Sequence, residues 1–109
     1  MPSPTTYPVE VRMQPLVAPA RLIADHRLEF RRSVLELLER AVQEEQSTVD
    51  VDLGGTVEMD ASGLGVLVLL QKRARERGLR TRLVHAPRAI VDTMRLTRLD
   101  SLFEFSPTS

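Results

Sequence analysis

The 109-residue sequence has no cysteine and no tryptophan, and its aromatic side chains are three phenylalanines and one tyrosine. Without cysteine there can be no disulfide, no thiolate nucleophile and no zinc–thiolate site. The two histidines, His26 and His85, stand in no ligand or triad spacing, so surface or edge packing is expected for each. The formal net charge is zero, which argues against nucleic acid as the main partner. The longest apolar run, Leu64–Leu70 with Gly65 inside it, is far too short for a membrane span, so no direct membrane insertion is expected. The first ten residues carry neither the basic nor the apolar region of an export signal. A cytoplasmic protein is the expectation.

Apolar content of 42% and charged content of 28% describe a globular chain with one ordinary core. Residues 1–6, rich in Pro, Ser and Thr, read as a flexible tail, 7–105 as a single domain and 106–109 as a fraying end. Charge is unevenly placed. Residues 25–60 hold ten acids against four bases, and residues 72–98 hold nine bases against two acids. Such a surface either pairs with itself in part or steers an acidic partner.

The stretch Val49–Gly78 organises the chain. Val49, Val51 and Leu53 alternate with Asp50 and Asp52, the period of a half-buried strand. Gly54-Gly55 stops it. A polar loop over 55–62 follows, with Ser62 as the expected cap of an apolar helix that begins at Leu64. Gly78 stands where a helix C-terminal glycine belongs. The loop is a polar knob between two buried elements, and such loops carry binding chemistry on rigid scaffolds.

Around this unit the pattern is regular. Tyr7–Leu16 alternates weakly and predicts a strand ended by Pro15, and Arg21-Leu22-Ile23 a short extended piece. Asp25 is the expected cap of a helix over about His26 to Glu45, with Phe30, Val34, Leu37, Leu38 and Ala41 on its buried stripe. Leu79–His85 predicts a strand, and Pro87 the first position of a helix with Ile90, Val91 and Met94 inward. Phe103 and Phe105 alternate in a last short strand. Alternating strands and helices imply a small α/β domain, a mixed but mostly parallel sheet packed with helices. In such sheets the loops at the carboxyl ends of strands form the functional rim, and the 54–62 loop falls there.

Catalytic patterns fail one by one. Gly63-Leu64-Gly65 opens a dinucleotide fingerprint, but Val68 fills its last position. Ser62 lacks the leading glycine of a nucleophile elbow, Asp60 standing two residues before it. Asp50 and Asp52 share a strand face, but no calcium loop follows them, and solvated carboxylates are expected. No enzyme activity, metal or cofactor is expected.

The residues Asp52-Leu53, then Met59-Asp60-Ala61-Ser62-Gly63-Leu64-Gly65 opening an apolar helix, then Gly78 and Leu99-Asp100-Ser101-Leu102-Phe103, resemble the STAS family, named for sulfate transporters and anti-sigma factor antagonists. The resemblance implies a binding module rather than a catalyst. In the sigma-regulating members, this loop binds an anti-sigma factor that is also a serine kinase of the ATPase fold. Phosphorylation of a loop hydroxyl breaks that complex. It implies a contact surface at Glu58, Asp60, Ala61, Ser62, Gly63 and Leu64. The acceptor in those members directly follows the loop aspartate, and here that residue is Ala61. Ser62 matches the next position and is the phosphorylation candidate. Either it accepts phosphate instead or this chain binds constitutively, and Thr56 precedes the motif. Some STAS-like domains instead dock on the ATPase of a lipid-transport ABC complex, which is the alternative function.

Overall fold

The computed structural model describes residues 13–106. Strands β1 (Leu16–Val17), β3 (Thr48–Asp52), β5 (Arg80–Val84) and β6 (Glu104–Ser106) form one sheet in the order β1-β3-β5-β6. A second, two-stranded ribbon joins β2 (Arg21–Leu22) to β4 (Glu58–Met59). Every pairing among the described residues is parallel. The helices are α1 (Arg27–Gln43), α2 (Ala61–Glu76) and α3 (Arg88–Leu96). A 3₁₀ turn at Ala24–His26 leads into α1, and another at Asp100–Leu102 precedes β6. The fold is the small, mostly parallel α/β domain that the alternation implied.

The centre of the sheet follows from residue pattern. Val49, Val51 and Leu53 turn inward and are buried, while Asp50 and Asp52 lie half-buried on the other face. Asp50 sits opposite Arg82 in the register and takes two bonds from it, Nε to Oδ1 at 3.2 Å and Nη2 to Oδ2 at 3.0 Å. Asp52 accepts the Gly54 amide at 2.7 Å and so closes the turn that ends β3. Neither carboxylate is simply solvated, as the sequence suggested; one is cross-paired and one shapes a turn.

On α1 the five predicted inward residues, Phe30, Val34, Leu37, Leu38 and Ala41, are all buried. They meet Leu64, Leu67, Leu70 and Ala74 of α2 in one core, and α1 and α2 pack against each other. Asp25 does not cap α1. It lies inside the 3₁₀ turn, and the N-cap residue is His26, without a side-chain bond. Pro87 is the N-cap of α3 rather than its first residue, one position earlier than expected. Most of the strand expected over Tyr7–Leu16 lies outside the described residues, as does the tail over 1–6. The paired residues seen there, Leu16–Val17, come after Pro15 rather than before it.

The register brings Val17, Asp52, Val84 and Ser106 to one level, so the four strands finish together. Leu53 donates its amide to the Val84 carbonyl and Ala18 donates to that of Asp52, both at 2.9 Å. The segment from Gly54 to Asp60 therefore leaves from the carboxyl edge of the sheet, where the topology put it.

Candidate functional site

The segment is held from below by backbone. Thr56 is 1% exposed; its hydroxyl donates to the Pro19 carbonyl at 3.0 Å and its amide to that of Leu53 at 3.0 Å. That hydroxyl is structural and shut away from solvent. Val57 and Glu58 donate their amides to Ala20, and Asp60 donates to Leu22. These bonds extend the β2–β4 ribbon, whose register sets Arg21 beside Glu58. The two side chains meet at 2.9 Å but are more than half exposed, so the ion pair adds little. The loop is thus shorter and stiffer than the sequence implied: part of it is strand, and Ala61 and Ser62 already belong to α2.

Asp60, not Ser62, caps α2. Its Oδ1 accepts the Gly63 amide at 3.0 Å, the geometry that satisfies a free N–H of the first turn. Its Oδ2 accepts the Ala24 amide at 3.1 Å, at the start of the turn that leads into α1. One carboxylate therefore ties the beginnings of both helices together. The Gly63 bond, helped by that from Ala24, holds the Asp60 carboxyl below the usual carboxylate range. Serine and aspartate are both good caps, and the choice was made by Ala24, thirty-six residues away in sequence.

Gly63 explains why the two helices can begin so close to β2. A Cβ there would sit 2.1 Å from the Leu22 carbonyl oxygen and 2.7 Å from its Cγ, a clash with backbone that no rotamer relieves. Gly65 differs: a Cβ there meets nothing within 4 Å, yet glycine inside a helix costs about 1 kcal/mol relative to alanine. Packing gives Gly65 no reason to be glycine.

Of the residues expected at the contact surface, Glu58, Asp60 and Ala61 are exposed and Ser62 is half-buried. Gly63 and Leu64 are buried, so they support that surface from beneath and do not form it. Beside Ser62 runs an open groove of about 420 Å³ between the first halves of α1 and α2. Ala61, Ser62, Gly65, Val66 and Leu69 form the α2 wall, and Arg27, Leu28 and Arg31 the α1 wall. The sequence reading missed that second wall. Its signal was Leu28, an apolar residue on the polar side of an amphipathic helix, which is 72% exposed.

A family model described as "Mlab, STAS domain" matches residues 20–104. The chain belongs to the STAS family. Its fold matches that of a candidate anti-sigma factor antagonist from Thermotoga maritima, TM1081. Against the crystal structure the TM-score is 0.67 at 20% identity, covering 86% of this chain and 73% of the other. Against the solution structure of the same protein it is 0.69 at 20% identity, covering 99% and 91%. No curated protein sequence matches the chain. In this STAS domain the loop aspartate is the helix cap, and the position after it is an exposed alanine.

Proposed function

We propose that this STAS domain is a non-catalytic regulatory module, gripped by a protein partner along Glu58, Asp60, Ala61 and Ser62 and into the neighbouring α1–α2 groove. The observation that carries the reading is Gly65. It weakens α2, relieves no clash, and leaves the α2 wall of the groove bare beside Ser62. A residue that costs stability and leaves an accessible hollow is expected where another molecule must approach closely. The likeness of fold to an anti-sigma factor antagonist supports an anti-sigma factor with serine kinase activity, of the ATPase fold, as that partner, in the cytoplasm of a bacterium. With Ala61 at the acceptor position, the partner binds constitutively, and Ser62 takes little phosphate when the two are incubated with ATP.

Asp60 is a poor probe of this surface, because both of its oxygens serve the fold. Ala61 and Gly65 are better, since both are exposed. Ala61→Lys and Gly65→Lys should each reduce capture of the partner from native cells by at least about tenfold, the loss expected when a central contact is blocked. Gly65→Lys should at the same time melt higher than the parent, lysine being the better helix former. Full capture by both variants would refute the surface.

A second reading is docking on the ATPase subunit of a lipid-transport ABC complex. The family model favours keeping it, for its description names Mlab and not an anti-sigma antagonist. Identification of the captured protein by mass spectrometry separates the two: a sigma regulator supports the first reading and a transporter ATPase the second.

A further inference from the structure

The outward face of α1 has a charge order that helix stability does not explain. Leu28, Arg31, Arg32, Leu35, Glu36 and Glu39 line one shallow hollow of about 530 Å³ along it. The bases lie toward the start of the helix and the acids toward its end, against the preference set by the helix dipole. Arg32 and Glu36 are four residues apart, but with the base first, the weaker orientation for a pair within one helix. None of these four charged side chains makes an ion pair among the described residues. Leu28 and Leu35, one heptad apart, are not among the residues packed on the core.

Such a face is complementary to itself when turned end for end. We infer that a second copy of this chain covers it, the two α1 helices lying antiparallel about a two-fold axis near Leu35. Leu35 then rests on its own mate. Arg31 stands four residues before that axis and Glu39 four after it, so the operation sets each beside the other. Arg32 falls opposite the span from Glu36 to Glu39. A two-fold contact uses the same patch on both copies, which is what a face with basic, apolar and acidic zones in that order provides. The antiparallel arrangement also opposes the two helix dipoles favourably. A single helix face of 17 residues is about 25 Å long, small for an interface, so the dimer is weak and salt-sensitive. Leu28 and Arg31 also wall the α1–α2 groove, so this dimer and the partner proposed above compete for them.

Sedimentation of the full chain across a concentration series tests it, with two charge-reversed variants. One carries Arg31→Glu and Arg32→Glu; the other carries Glu36→Arg and Glu39→Arg. The parent should dimerise reversibly at micromolar concentrations, and more weakly as salt is raised. Each variant alone, facing its own like charges, should dimerise at least about tenfold more weakly. An equimolar mixture of the two should regain association, because one face is then acidic and the other basic. That recovery cannot come from a misfolded variant. A parent that stays monomeric, or variants that dimerise as well as it does, or a mixture that regains nothing, would overturn the inference.

Discussion

At the scale of a single residue, Asp60 joins the starts of two helices. Its carboxylate accepts from Gly63 and from Ala24, and the bonds favour the charged form. The folded pKa therefore lies below the ordinary value of 3.8. A depressed carboxylate stabilises the fold fully above the unfolded value, and that contribution is lost as pH falls through the folded one. Asp60→Asn removes the charge at every pH. The variant should be less stable than the parent near neutrality, and the gap should close as the solution is acidified past the carboxylate range. Denaturant midpoints measured at a series of pH values check this; a gap that does not change with pH would mean that charge plays no part in the cap. From the sequence, Asp60 was legible as a residue of the contact loop. Its role as cap was not, because Ser62 is equally suited and the second bond, from Ala24, comes from thirty-six residues away in sequence. Ser62, two residues further on and chemically suited, is the cap that the sequence alone predicts.

Among the elements, the helix ends share one device. After α2, Gly78 adopts φ +73°, Leu79 donates back to Ala74 and Gly78 to Arg75. After α1, Glu45 at φ +54° stands in the same place, with Gln46 bonded to Ala41 and Glu45 to Val42. After α3, Arg98 at φ +59° repeats it, with Leu99 bonded to Met94 and Arg98 to Arg95. This paired bonding is the Schellman termination, and it favours glycine at the left-handed position. Only α2 has it. Glu45→Gly and Arg98→Gly should each raise stability by about 0.5–1 kcal/mol, and Gly78→Ala should lower it by a similar amount. Thermal melts of the three variants decide the matter; a destabilised Glu45→Gly or Arg98→Gly would show that the side chain is worth more than the strain. The same comparison explains what was readable. Helix α1 and strand β3 announced themselves through long periodic runs, and the end of α2 through its glycine. The two-residue strands β2 and β4 each span a single strand period; Arg21-Leu22 was legible as a short extended piece, whereas no pattern revealed Glu58-Met59. They exist because the chain on either side is already anchored, by Thr56 to Pro19 and by Asp60 to Ala24.

Taken as a whole, the molecule divides its charge. Cross-strand pairs absorb part of the imbalance seen in the sequence, Arg82 with Asp50 and Arg80 with Glu104. The exposed bases at the end of α2, among them Arg73 and Arg75, suit the negative end of that helix. The carboxyl edge of the sheet is left with the rim of Glu58 to Ser62 and the groove walled by Arg27, Leu28 and Arg31. The strand-to-rim placement was legible because parallel topology dictates it. The groove was not, because its walls come from two helices whose lining residues stand thirty or more positions apart in sequence. Photo-crosslinking in the native cell tests whether a partner grips the rim beside Ser62. A photoreactive amino acid at exposed Ala61 is compared with one at exposed Arg77, just past the other end of α2. One dominant crosslinked protein is expected from position 61 and none from position 77. Crosslinking of a partner at 77, with none at 61, would contradict this.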